Sequence, residues 1–394
     1  MNVNDFPMLR KDIIYFDNGA TTFKPQQVID KIREYYEDYS ANSGRGEYDI
    51  AFRVDKEIND ARWAVKNFIN ARYLEEIVFT SGTTNSLNMI VNGFFKDNLE
   101  DGDEVLITEA EHASNVIPWY MLKNIVVKNI PLLNNYVTLD NVIKTITPKT
   151  KVISLAGITN VLGDKRPIKE ICEYAHQHNI FVVLDGAQMV PHEKVDVIDL
   201  DVDFLAFSGH KMCGPTGIGV LYGKKELLEE MIPQNYGGGM NESFDDQEHV
   251  YLKDLPERLE AGTINIAGII GLKESIKYLT NIGMDNIADY EMKLRKYLID
   301  KLIKIKHIDI LNIEGDSGIV SFNVDGIFAQ DVAYYLNKHH ICVRAGSHCA
   351  KNLKFVTHKN SSVRISMYFY NTYEDIDKLV DLLKDKDRIL EEMI

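Results

Sequence analysis

The stretch Ser208–Gly219, SGHKMCGPTGIG, puts a lysine directly after a histidine, at the end of the apolar run Phe204–Leu205–Ala206–Phe207. Lysine is rarely buried without a partner. Taken alone, Lys211 is a side chain that snorkels from a strand end. In a dry pocket the same amine loses its charge more easily and becomes a nucleophile toward carbonyl carbons. Asp185 poses a similar choice where IFVVLD ends. Alone it is a turn or helix-capping residue; opposite a cation it is a functional carboxylate. A strand-end acid with a strand-end lysine is the pattern of pyridoxal phosphate sites, where the acid faces the pyridinium nitrogen.

A phosphate would need its own donors, and two places offer them. Gly82, Thr83 and Thr84 open a helical pattern, where free N–H groups and hydroxyls suit an anion. Ser208 and His210 flank the lysine. A Walker loop is excluded, because GVLYGKKE has the wrong spacing and no Ser or Thr after its lysine. GIGVLYG approaches a dinucleotide signature but leads into a strand rather than out of one.

Three further side chains carry chemistry. His112 follows VLITEAE; it is either a satisfied core histidine or a ring stacked on a cofactor face. Cys349 lies in ICVRAGSHCAKN among small and polar residues, with His348 adjacent and Arg344 close. Most lone cysteines are inert packing residues, and Cys172, Cys213 and Cys342 read that way. The surroundings of Cys349 favour thiolate, the reactive form. Arg364 sits inside the apolar pattern SVRISMY, a guanidinium fork suited to a substrate carboxylate.

The elements that must hold these groups alternate strand and helix. EIVFT, DEVLIT, KVISLAGI, IFVVLD and VDFLAFS are strand-length apolar runs. TTNSLNMIVNGFF, SNVIPWYMLK and IKEICEYAHQHN read as helices between them. IGVLYG follows at once and is expected to pair antiparallel with its predecessor. This rhythm predicts an α/β unit with a mostly parallel sheet. In such sheets ligands bind outside the carboxyl ends of the strands, and those ends carry Thr83, Thr84, His112, Asn160, Asp185, Gln188, Ser208, His210 and Lys211. After EAGTIN the pattern changes. Helices over 266–281, 285–305 and 329–338, with strands IDILNI, GIVSFNV, ICVRAG and SVRISMY, predict a smaller α+β unit closed by a charged helix. The expected organisation is an N-terminal segment, 1–20, packed on the rest; a large α/β domain, 21–265; and a small α+β domain, 266–394.

Composition bounds the partners. The 394 residues include 44 Lys and Arg against 59 Asp and Glu, a net charge of −15. That excess disfavours nucleic acid and acidic membrane surfaces. No apolar run reaches membrane-spanning length, and the first residues lack a signal-peptide core. Four cysteines in so long a chain make no disulfide framework and no metal-ligand cluster. The expectation is a cytoplasmic protein without a metal site.

The ordered motifs YFDNGATTFKP, TSGTTNSLN, EHASNVIPW, ITNVLG, LDGAQMVPH, FSGHKMCGPTGIG, EAGTIN, RAGSHCA and VRISMYFYN resemble the class V aminotransferase-like enzymes. Within them the chain is similar to group II, SufS-type cysteine desulfurases. SGHK–GPTGIG is specific to the class and RAGSHCA selects the desulfurase.

The resemblance implies the PLP-dependent transferase fold type I and conversion of L-cysteine to L-alanine, with sulfur passing to Cys349 as a persulfide. Lys211 would bond to the cofactor and serve as acid and base at the substrate α-carbon. Asp185 would pair with the pyridine nitrogen, Gln188 with the ring hydroxyl oxygen, and His112 would stack on the ring. Thr83, Thr84, Ser208 and His210 would hold the phosphate. Thr263 would reach the phosphate of a second subunit, implying a homodimer. Asn160, Arg344 and Arg364 would lie on the substrate side. A thiol acceptor protein of iron–sulfur assembly would take the sulfur. Gly44 and Tyr48 stand where the family often has histidines, Ile264 where it has proline, and Ser347 where it has a second histidine. Two rivals stay open: another enzyme of the fold (a selenocysteine lyase, an aminotransferase or a β-eliminating lyase) and a non-catalytic scaffold, against which the intact Lys211, Asp185 and His112 argue.

Overall fold

The computed structural model describes residues 3–44, 46–247 and 249–393. Its first eight strands are β1 (Ile14–Tyr15), β2 (Ile77–Thr80), β3 (Glu104–Ile107), β4 (Val126–Asn129), β5 (Thr150–Ala156), β6 (Phe181–Asp185), β7 (Phe204–Ser208) and β8 (Gly219–Gly223). Seven of them form one sheet in the order β2-β8-β7-β6-β5-β3-β4. Neighbours are parallel from β7 through β4. β8 runs antiparallel to both β7 and β2, as expected of a strand that follows its predecessor through a short turn. The central strands are buried on both faces, which is why they read as unbroken apolar runs.

One face of this sheet packs under helices Gln26–Asp38, Asp49–Phe68 and Ile266–Ile282; the other covers an aromatic cluster around Phe94, Phe95, Trp119 and Phe204. A second sheet is antiparallel, in the order Ile308–Ile310, Ile319–Val324, Ser362–Ser366, Arg344–Gly346. Its apolar face meets helices Met284–Leu302, Ala329–Lys338 and Tyr373–Leu383. No helix of the described residues is long and apolar enough to cross a membrane.

Three local differences from the sequence reading have physical causes. SNVIPWYMLK is not one helix: a single turn, Ala113–Asn115, precedes Ile117–Met121. Pro118 is tolerated only in a first helical turn, so a new helix must begin beside it. ICVRAG is two strands; Ile341–Cys342 pairs in parallel with β1, and Arg344–Gly346 joins the second sheet. The segment before residue 20 is thereby tied to the C-terminal strands, while Phe6 packs on Tyr278, Phe369 and Tyr370. A hairpin, Asn241–Phe244 with Val250–Leu252, was not anticipated. Its residues are mostly exposed, so no burial pattern marks it.

Candidate active site

Every residue singled out for the site except Thr263 lines one cavity of about 250 Å3 at the carboxyl ends of β3, β5, β6 and β7. Lys211 follows β7 in a single tight turn, Gly209–Lys211. Burial drags its ammonium down to about 8, against the attraction of Asp185 and of Cys349. Burial lifts Asp185 to about 6, opposed by the Ala187 N–H, 2.9 Å away, and by Lys211. An acid pushed up and a lysine pushed down mark a dry site whose charges are not fully compensated.

Around this pair the donors converge. Gly82, with φ of +148°, turns β2 into the helix Thr83–Ile90. At that helix start the Thr83 N–H donates to Ser208 Oγ at 2.8 Å, and the two hydroxyls lie 2.7 Å apart. Thr84 Oγ1 is 2.7 Å from Ser114 Oγ. His112 caps the turn after β3, its Nδ1 accepting from the Ser114 N–H at 3.1 Å. Burial and then Lys211 lower both His112 and His210 to about 4, so both rings are neutral. Gln188 donates through Nε2 to the Gly19 carbonyl at 2.7 Å, while its buried Oε1 has no partner.

The C-terminal strands supply the opposite wall. Cys349 is exposed and lies at φ of +58°, after His348 at +52°. Two consecutive left-handed residues are costly for side chains of this size. The loop is held at two points from the large sheet's edge: Asn160 Nδ2 donates to the His348 carbonyl at 2.7 Å, and the Ala113 N–H donates to the Cys349 carbonyl at 2.8 Å. Sequence adjacency places His348 beside Cys349, in a polar setting that favours thiolate. Its ring instead turns under the loop to Ser362, and burial drives it down to about 3, so it brings no cation. Arg344 is also engaged, in a bidentate pair with Asp17. Lys211 and Arg344 share the cavity with the thiol, and each feels its charge.

Arg364 is buried. It donates through Nη1 to the Asn160 carbonyl and through Nη2 to Asp17, both at 3.0 Å, and its Nε has no partner. Sequence reasoning quoted FDNGATT but gave Asp17, Gly19 and Ala20 no role. The available signal was that IIYFD ends in an acid as FVVLD does. Thr263 lies elsewhere, 3.4 Å from Asn42 Nδ2, in a second cavity of about 610 Å3 shared with Gly44 and Ile264. Within one chain it does not reach the first cavity. Tyr48 is exposed and Ser347 only partly buried.

Beneath His112 and Asn160 lies a buried polar network. Glu111 accepts from Arg166, from Asn115 Nδ2 at 2.9 Å and from the Ala156 N–H at 2.8 Å. Arg166 also reaches Asp164, which accepts from Thr159. The residues preceding His112 and Asn160 are thus fixed to one guanidinium. Arg166→Met is expected to destabilise the fold by about 3–5 kcal/mol, because it strands two buried carboxylates. Urea denaturation checks this; a midpoint equal to that of the unaltered protein would show the network to be dispensable.

Comparison with known proteins follows the same outline. Residues 14–379 match the class-V aminotransferase family. A probable cysteine desulfurase of Staphylococcus aureus is 41% identical over 393 residues, covering 97% of this chain and 95% of that one. The crystal structure of cysteine desulfurase CsdA from Escherichia coli has a TM-score of 0.92 at 34% identity, with both chains covered completely. The apo structure of a cysteine desulfurase from Thermococcus onnurineus has a TM-score of 0.93 at 34% identity, over 98% of this chain and 97% of that one.

Proposed function

The chain belongs to the class-V aminotransferase family, and we propose that it is a pyridoxal phosphate-dependent cysteine desulfurase, converting L-cysteine to L-alanine and taking the sulfur onto Cys349. One observation carries this reading. An exposed cysteine, on a loop that hydrogen bonds from the sheet edge hold in place, shares a cavity with a half-buried lysine and a buried acid.

The residues fit the cofactor. Asp185, raised to about 6 by burial, suits a pyridinium nitrogen. The unpartnered Gln188 Oε1 offers an acceptor for a ring hydroxyl, and the neutral His112 a flat face. Thr83, Thr84, Ser208 and His210 stand at a helix start and lysine turn suited to a phosphate. Lys211 supplies the point of covalent attachment. When bound there, pyridoxal phosphate supplies a sink for the electron pair left on the substrate α-carbon.

The chain's own groups do the rest. Arg364, with its free Nε, and Arg344 take the substrate carboxylate, and Asn160 borders it. Lys211 Nζ, neutral in an appreciable fraction because burial lowers it to about 8, moves the α-proton. The Cys349 thiolate attacks the substrate sulfur. A sulfur–sulfur bond forms as the substrate's carbon–sulfur bond breaks; the electron pair stays with the carbon, a proton completes alanine, and Cys349 keeps the sulfur as a persulfide.

In this reading residues 21–265 hold the cofactor and 266–394 bring the nucleophile, with 1–20 packed against them. A thiol acceptor protein collects the sulfur for iron–sulfur assembly. A homodimer places Thr263 at the partner's phosphate, and the protein works in the cytoplasm.

The test is product identity. With pyridoxal phosphate, L-cysteine and one enzyme equivalent, one alanine is expected for each sulfur found on the protein. Pyruvate and ammonia in place of alanine would identify elimination and remove the reading.

A further inference from the structure

Arg344 and Arg364 are directly opposite one another on neighbouring antiparallel strands. Like charges in that relation repel, and Arg364 is almost wholly buried. One carboxylate answers both. Asp17 Oδ1 accepts from Arg364 Nη2 and from Arg344 Nε, each at 3.0 Å, and Oδ2 accepts from Arg344 Nη2 at 2.8 Å. The backbone at Asp17 is fixed by the strands that carry those arginines. β1, just before it, pairs with Ile341–Cys342, and Asp17 bridges to Ser366 at the end of the Arg364 strand. The Gly19 N–H then donates to Ser366 Oγ at 2.8 Å.

Both arginines line the cavity, and Asp17 does not. It takes the Nε and Nη2 edge of Arg344 and one nitrogen, Nη2, of Arg364. Not engaged by Asp17 are the buried, unpartnered Nε of Arg364 and Nη1 of Arg344. Two guanidinium cations and one carboxylate leave a single positive charge, the match for one substrate carboxylate. We propose that Asp17 is a positioning residue of the desulfurase site, holding Arg344 and Arg364 together in the orientation that receives the carboxylate of an α-amino acid. This rests on the desulfurase reading above.

Charge and geometry oppose one another in the variant Asp17→Asn. Removing a negative charge beside two arginines would by itself tighten anion binding. Losing the anchor frees Arg344 and leaves Arg364 without its ionic partner. The positioning role requires that geometry win.

The experiment titrates the pyridoxal phosphate-loaded protein with L-alanine and with ethylamine, which is alanine without its carboxylate, following the visible absorbance of the bound cofactor. In Asp17→Asn the L-alanine affinity is expected to fall roughly tenfold or more, as on losing a charge-assisted hydrogen bond, with ethylamine changed less than about twofold. Equal weakening of both amines would show a general structural role and overturn the proposal, as would L-alanine binding that is unchanged or tighter. If Asp17→Asn does not fold, Arg344→Gln removes the exposed half of the same anchor. It is expected to weaken L-alanine selectively, and equal titrations with the unaltered protein overturn the proposal. An unaltered protein that binds no pyridoxal phosphate, or whose spectrum ignores both amines, takes down the desulfurase reading and this proposal together. A responsive unaltered protein with an indifferent variant takes down only the role of Asp17.

Discussion

Cys349→Ser is expected to retain pyridoxal phosphate and to respond spectrally to L-cysteine, yet to lose alanine formation by at least about a thousandfold, the scale of removing a catalytic nucleophile. Binding and α-proton removal require Lys211 and the cavity, not a protein thiol. Only sulfur removal requires it. A serine hydroxyl is not ionised near neutral pH and is a poor nucleophile toward sulfur, whereas a thiolate is both ionised and soft. The other cysteines cannot substitute. Burial raises the thiols of Cys172, Cys213 and Cys342, Cys213 to about 12, and only Cys349 lines the cavity. Selenocysteine should be affected less, because its weaker carbon–selenium bond can break without thiol attack. Mass spectrometry after one turnover should place the added sulfur on Cys349 of the unaltered protein. Sulfur on another cysteine, or undiminished alanine from Cys349→Ser, would reduce the protein to a generic lyase of its family.

Why Cys349 was legible while Asp17 was not follows from where each makes its contacts. The central strands are buried on both sides, so their apolar runs stand out, and the residues just past their ends had to meet at one edge. Lys211, Asp185, His112 and Asn160 could be collected on that rule alone. The reach of Asp17 is not local: its partners Arg344 and Arg364 lie 327 and 347 residues away. Nothing in FDNGATT reveals that β1 pairs with Ile341–Cys342, because two-residue strands carry no periodicity. His348 shows a related limit. Adjacency in sequence put its ring beside Cys349, but with left-handed backbone at both residues the His348 ring lies against Ser362 instead. The hairpin near 241–252 was missed for the opposite reason, since almost nothing in it is buried. The placement of Thr263 outside the cavity follows from a single chain, and the reading that assigns it to a phosphate requires a second copy.

Lys211→Ala should abolish turnover, by at least about a thousandfold, while leaving a weaker, non-covalent hold on pyridoxal phosphate through Thr83, Thr84, Ser208 and His210. A second lysine makes this assignment a real choice. Burial also lowers Lys24 to about 8, and it lies against the same turn. Its ammonium, however, donates to Thr21 Oγ1 at 3.1 Å and to the Thr22 and His210 carbonyls, and it does not line the cavity. Lys24 braces the Lys211 turn rather than facing the substrate. Borohydride reduction of the loaded protein, followed by peptide mapping, should therefore find cofactor on Lys211 and none on Lys24; label on Lys24 would overturn the assignment. The pH dependence carries the same signature. The neutral amine is the nucleophile, so the rate at which cofactor-free protein captures pyridoxal phosphate should rise with pH and level off above about 8, where burial has placed Lys211. An unburied lysine would go on gaining to beyond pH 10. Above the plateau the gain stops because the amine is already neutral, while Asp185, raised only to about 6, stays ionised throughout that range and ready for the ring nitrogen.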